Sequence, residues 1–377
     1  MAPRSLKWLQ AVLVLAPLAV DAQSSAAAGA SPTTSFRPIF TVPAGADIGQ
    51  TLIPNIQDPN AVDAQTICPG YKGSNVKYSD TGLTALLTLA GPACNIYGTD
   101  IESLSLKVEY QTDSRLHVEI VPSQIDHSNE SYYILSPDYV AKPEQQNGTT
   151  STSDLMFSWS NNPSFSFEVT RNSTGDVVFS TKNSKLVFEN QFLEFITAEP
   201  PNYHVYGLGE VIHSLELGQN LTRTLYGADV GDPIDRNLYG SHPFALETRW
   251  FEKGADGPET LVTSNATSPN ASYTSYSHGT YLRNAHGMEV LMRAENITWR
   301  TIGGSIDLYF FSGPSQPEVT RQYQDVIGYP AMQQYWSLAF HQCRWGYQNW
   351  SVVEQVVNDY TRFGIPLENI WWASKFD

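Results

Sequence analysis

A mostly β chain that closes in the first strand–helix unit of a (β/α)8 barrel is what this sequence predicts, on three observations. Apolar and polar residues alternate in short runs between about residues 61 and 312. At Ser315 the period changes to that of a helix. The last forty or so residues then read strand, helix, strand. A closed eight-stranded barrel takes about 250 residues, so residues 326–377 are expected to hold only its beginning, cut short.

The N-terminus reads as a secretory leader over residues 1–22. Arg4 and Lys7 supply the positive start, Leu9–Val20 the apolar stretch, and Val20-Asp21-Ala22 the small residues of a cleavage site. Gln10 and Pro17 interrupt a run already too short to span a bilayer; the alternative is a buried helix. Residues 23–60 are rich in Ala, Ser, Pro and Thr without a period, and are expected to be a loosely ordered lead-in.

The β region is expected over 61–325. Leu104, Leu106, Val108 and Tyr110 alternate with Ser105, Lys107 and Glu109. After QTDS, Leu116, Val118 and Ile120 alternate again, which predicts a hairpin with one buried face. Phe165, Phe167 and Val169 lead through NSTGD to Val177 and Phe179, a second hairpin. LVFENQFLEFIT, MEVLMRAENITW and GSIDLYFFSG continue the pattern, and the sum suggests a large sandwich of packed sheets.

Ser315-Gln-Pro-Glu318 is a capping box with proline in the first turn, and Val319, Tyr323 and Val326 fall on one helical face. Tyr335–Cys343 reads as a buried strand. Ser351-x-x-Glu354 is expected to start the next helix, with a stripe of Val352, Val356 and Tyr360 beside Val353 and Val357. Gly364 ends it, Pro366 blocks its continuation, and a second apolar run begins at Ile365.

Composition narrows the partners. The net charge is −16 with no basic run, which argues against nucleic acid and anionic membrane. Aromatic residues reach 12% while charged ones are only 16%, a balance compatible with neutral sugars that bind by stacking. Acceptor sequons for N-glycans stand at Asn129, Asn147, Asn172, Asn220, Asn265, Asn270, Asn296 and Asn349; Asn162 precedes proline and is excluded. Of three cysteines, Cys68 and Cys94 are the expected disulfide in an oxidising compartment. Cys343 is expected to be a buried thiol packed beside His341, the alternative being a catalytic pair.

Two stretches could carry chemistry. HQCRWGYQNW lies at the C-terminal end of the first barrel strand, the end that holds barrel active sites. There Trp345 and Tyr347 either offer flat faces to a pyranose or pack under the following helix, with Arg344 and Asn349 as polar neighbours. YHVYGLGE and TLYGADVGDPIDRNLYGSHPF form a second candidate, a Gly- and Asp-rich loop with carboxylates at Asp229, Asp232 and Asp235. Three nearby acids suggest calcium, but their spacing is not that of an EF-hand loop, and a solvated acidic loop is the alternative; GLGE is not a phosphate cradle.

These residues resemble the secreted fungal α-glucosidases of glycoside hydrolase family 31. The likeness runs through ICPGYKGSNV, CNIYGTD, VYGLGE, NLYGSHPF, YSHGTYLRNAHGMEVLMR, ITWRTIGGSIDLYFFSGP and PAMQQYWSLAFHQCRWGYQNW to GIPLENIW. The resemblance implies a galactose-mutarotase-like β-sandwich ahead of the barrel. It implies retaining cleavage of maltose-like and starch-derived oligosaccharides by two carboxylates, without metal or redox cofactor. It also implies a sugar contact by Asp229 and a pocket-wall ring at Trp345. After Trp371 the family reads T-D-I-D-Y-M, whereas this chain reads Trp372, Ala373, Ser374, Lys375, Phe376, Asp377. Ala373 stands where the family has a sugar-binding aspartate, and Asp377 where it has methionine. The expectation is therefore a truncated form without its catalytic carboxylates. A non-catalytic carbohydrate-binding sandwich is the alternative.

Overall fold

The computed structural model describes residues 61–125, 143, 145–227, 233–253, 259–265 and 268–373. The expected leader and lead-in, residues 1–60, lie outside them, as does the sequon at Asn129.

One turn of helix, α1 (Ala64–Ile67), precedes β1 (Tyr71–Ser79), β2 (Gly82–Leu89), β3 (Ser103–Thr112) and β4 (Arg115–Pro122). There follow β5 (Leu155–Ser160), β6 (Ser166–Arg171), β7 (Asp176–Ser180), β8 (Val187–Glu189) and β9 (Phe192–Ala198). Next come β10 (His204–Gly207), β11 (Glu216–Leu217), β12 (Leu221–Leu225), β13 (Phe244–Lys253), β14 (Glu259–Leu261) and β15 (Ser272–Leu282). The β region ends with β16 (Met288–Arg293), β17 (Asn296–Thr301) and β18 (Ile306–Phe311). After them lie α2 (Gln316–Ile327), β19 (His341–Trp345), α3 (Trp350–Phe363) and β20 (Asn369–Ala373).

Three antiparallel sheets enclose the core. The largest runs β1-β2-β3-β4-β18-β15-β13-β10-β11, with β14 paired to β13; the others run β12-β16-β17-β9-β8 and β5-β6-β7. The hairpin of β3 and β4 forms in the register that its alternation predicts, with Leu106 opposite Ile120 and Val108 opposite Val118, all buried. Aromatic rings join the sheets. Phe179 of β7 meets Phe310 of β18 edge-on at 4.7 Å and Phe195 of β9 at 6.4 Å, and Phe195 stacks on Trp299 of β17 at 6.2 Å. The Cys68–Cys94 disulfide is present, with Cα atoms 5.0 Å apart.

Helix α2 begins as its sequence dictates. The Glu318 carboxylate accepts from Ser315 N at 3.1 Å and Ser315 Oγ at 2.6 Å. Its apolar stripe packs on the outer face of the large sheet, where Val319 is buried and Tyr323 stacks on Phe244 at 4.1 Å. The helix runs through the boundary expected at 325.

The C-terminal unit is a parallel β19-α3-β20 crossover. Three details of the reading are corrected here. Tyr335–Leu338 is a short 3-10 turn rather than buried strand, closed by Ala339 N donating to Trp336 O at 3.1 Å, and the strand starts only at His341. None of the turn's four side chains is buried, so no neighbouring strand holds them extended. Asn349, not Ser351, caps α3: its Oδ1 accepts from Val352 N at 3.1 Å, so the helix begins at Trp350. Gly364 ends α3 in the left-handed conformation, φ 66°, as expected of a C-terminal glycine. Cys343 is exposed rather than buried, on the uncovered part of β19.

The sequons divide by burial. Asn147, Asn172, Asn220, Asn265, Asn270 and Asn349 are exposed. Asn296 is 4% exposed at the start of β17. A glycan there would displace neighbouring strands, which removes Asn296 from the expected acceptors.

Candidate functional site

The polar loop region singled out in the sequence has an ordered root. Residues 209–212 lie alongside residues 234–242. Val211 bridges Asn237, Ile212 bridges Ile234, and Asp235 N donates to Ile212 O at 3.1 Å. Glu210 and Gly240 are tied twice. Glu210 N donates to Gly240 O at 2.9 Å, and the Glu210 carboxylate accepts from Gly240 N at 3.0 Å. A Cβ at Gly240 would sit 2.7 Å from that carboxylate, so a larger residue there would have to push the Glu210 side chain aside. His242 Nε2 lies 3.8 Å from Glu210 Oε1, and His213 Nε2 lies 3.4 Å from Asp235 Oδ1. Asp229 and Asp232 lie outside the described residues. Of the three aspartates, then, only Asp235 is placed.

At the second stretch the two rings have different fates. Tyr347 is buried, its hydroxyl accepting from Gln342 Nε2 at 3.2 Å, and the Arg344 guanidinium lies over its ring at 5.7 Å. Trp345, opposite Ala373 at the C-terminal end of β19, is 70% exposed. Tyr347 is thus an enclosed ring, while Trp345 keeps an exposed face. His341 Nδ1 accepts the Trp371 indole N–H at 3.0 Å, so that nitrogen serves packing rather than Cys343.

The β region also buries a charged cluster that alternation did not reveal. Arg249 Nη1 donates to Asp176 Oδ2 at 2.8 Å, its Nε to Glu247 Oε1 at 2.6 Å, and its Nη2 lies 3.5 Å from Glu199 Oε2. His278 Nε2 is 2.9 Å from Glu247 Oε2. Burial opposes the charge on Glu247, but Arg249 and His278 outweigh it and hold the carboxyl far below its ordinary value. Burial and the Glu247 charge push Glu199 well above its own. Burial pushes His278 down. The arrangement has the marks of a structural ion network: every charge is enclosed and answered by another. Cys68, Cys94 and Glu189 also cluster, but the two sulfurs are bonded to each other and cannot ligate a metal.

Sequence reasoning missed Asn237, Glu210 and Gly240 as the pieces that knit the loop root. The only signal was that VYGLGE and NLYGSHPF are both dense in glycine and polar residues where a hydrophobic period would otherwise continue.

The profile of the "Glycosyl hydrolases family 31 TIM-barrel domain" matches residues 330–376. An alpha-glucosidase of Aspergillus oryzae is 53% identical over 360 residues, 95% of this chain and 36% of its own length. The chain belongs to glycosyl hydrolase family 31. An alpha-glucosidase of Aspergillus niger is 51% identical over the same extent. Among solved structures, the glucosidase II alpha subunit bound to DNJ superposes with a TM-score of 0.61 at 17% identity, covering 81% of this chain and 39% of that one; at this identity the likeness is one of fold. This family 31 chain therefore spans about a third of the length of the curated relatives it matches. Among its described residues no helix is long and apolar enough to cross a membrane.

Proposed function

We propose that residues 1–377 supply the β-sandwich (61–325) and barrel entry (326–377) of a secreted, retaining α-glucosidase that removes glucose from the non-reducing end of α-linked malto-oligosaccharides. The observation that carries this is the 53% identity to the Aspergillus oryzae enzyme along 95% of the chain. Retention needs two carboxylates about 5–5.5 Å apart, one attacking the anomeric carbon and the other serving as acid and then base. In this reading both belong to barrel strands after β20, outside these 377 residues, and the chemistry needs no metal or redox cofactor. The chain's own share is to frame the sugar. Asp229 accepts hydroxyl hydrogens at the pocket edge, and the exposed Trp345 offers an apolar ring face to a pyranose. Ala373 supplies no such acceptor. The leader at 1–22 and the exposed sequons accord with export.

Residues 23–377, purified and given maltose, should release no glucose. Joined after Ile370 to the remaining two thirds of the Aspergillus oryzae enzyme, the chain should yield a hybrid that hydrolyses maltose. Asp229→Asn should lower that hybrid's kcat/KM about 10- to 100-fold, the loss expected for one charged hydrogen bond. Turnover by residues 23–377 alone would overturn the assignment of the catalytic carboxylates. A folded but inert hybrid would overturn the reading as a whole.

A further inference from the structure

We propose that Asn237 is the positioning residue that locks the root of the connection between β12 and β13; its value to catalysis rests on the reading that this connection carries the sugar contact. Asn237 is only 7% exposed although it lies in a polar loop. Its amide nitrogen donates to two carbonyl oxygens on different segments, Glu210 O at 3.1 Å and Gly240 O at 2.7 Å. Its amide oxygen accepts from Ser241 Oγ at 2.6 Å.

A planar head with two donors and one acceptor is what these three partners require, and among side chains of this length only asparagine has it. The surrounding main-chain bonds converge on the same point: Leu238 N donates to Glu210 O at 3.0 Å, and His242 N to Gly209 O at 2.8 Å. Each joins the segment leaving β10 to the segment entering β13. Asn237 sits between them and bonds the two carbonyls that those segments turn toward each other. Aspartate at the same position has the same shape but presents lone pairs to both carbonyls, and removing a buried donor costs more than the bond itself is worth.

The test is hydrogen exchange on the full 377-residue chain, read as protection of the Leu238, Gly240 and His242 amides against those of Leu116 and Val118 in β4. In Asn237→Asp at pH 7 the three loop amides should lose at least about tenfold in protection while the β4 amides hold. As pH falls toward the carboxyl range near about 4, the protonated side chain regains one donor, so part of the loss should reverse. The unsubstituted chain should show no such reversal. If N237D does not accumulate, Ser241→Ala should loosen the same amides by a smaller factor. Unchanged loop protection overturns the proposal, as does equal loss in loop and β4, which would mark a merely global effect. Asp229→Asn should leave these amides protected. A failed sugar contact therefore shows only in the hybrid's kcat/KM, and a failed Asn237 role only in exchange.

Discussion

His117 lies 2.7 Å from Asp307, Nε2 to Oδ1, inside the large sheet. Its other nitrogen is 3.0 Å from Glu109 Oε2, and Tyr309 stacks on the ring at 4.4 Å. Lys107 lies 2.7 Å from Glu109, Arg283 lies 3.7 Å from Asp307, and the Glu119 charge acts on the same imidazole. As an imidazolium the ring donates to both carboxylates, tying β3, β4 and β18 together.

This arrangement predicts a stability maximum in mild acid. Burial opposes the charge on His117, but hydrogen bonds to Asp307 and Glu109 outweigh it and raise the histidine above its ordinary value. That contribution is complete below about pH 6.5 and is lost as pH rises through the raised value. The hydrogen bond from His117, opposed by burial and helped by Lys107, brings Glu109 down to about 2. Its contribution is present above the ordinary carboxyl value and is lost as pH falls toward 2. Urea unfolding between pH 2 and 9 should therefore fall on both sides. In His117→Asn the alkaline limb should flatten; an unaltered limb would rule out His117 as its origin.

The Arg249 cluster predicts an asymmetry between its members. Arg249→Met strands Asp176 and Glu247 without their cation and should cost about 3–5 kcal/mol in chemical denaturation. Glu199→Gln keeps the size of the side chain and leaves both close Arg249 pairs, to Asp176 and Glu247, in place, so it should cost clearly less than Arg249→Met. Because Glu199 is raised, the stability of the unsubstituted chain should fall as pH climbs through that raised value. E199Q should not share the fall. Equal losses in the two variants would contradict the shared-guanidinium account.

The disulfide predicts a loss set by chain topology. Cys68 and Cys94 are 26 positions apart. Closing a loop of that size should stabilise the fold by about 3.5 kcal/mol. Replacing both cysteines with serine should show a loss of that order in urea titration. The CNIYGTD turn should survive, since Glu189 accepts from Ile96 N at 2.7 Å and from Tyr97 N at 2.9 Å without the sulfurs. Loss of the turn's amide protection in that variant would show that the cross-link, not the carboxylate, shapes it.

Glycan mapping offers a direct check on burial. After enzymatic deglycosylation in heavy-oxygen water, the chain expressed through a fungal secretory pathway should show isotope-marked aspartate at exposed sequons such as Asn147 and Asn172, and none at Asn296. A marked residue 296 would mean that the start of β17 packs otherwise.

Much of the fold was legible because one face of each strand is simply apolar. Leu104, Leu106 and Val108 opposite Leu116, Val118 and Ile120 announce both strands and their register. Strand β13 was not legible. Its face toward β7 and β9 carries Glu247 and Arg249, so a buried strand reads as a solvated one. Tyr335–Leu338 failed the other way, since an apolar run stays extended only where something covers it.

By itself the sequence determined the β architecture, the capping box of α2, the glycine end of α3, the disulfide and the family, because each rests on neighbouring residues or on a pattern carried along the chain. Tertiary structure alone decided which polar groups are enclosed. Asn237 reaches Glu210 across 27 positions, Arg249 reaches Asp176 across 73, and His117 reaches Asp307 across 190. A buried donor or charge is tolerable only when its partner arrives, and no local pattern records what the folded chain brings from so far away.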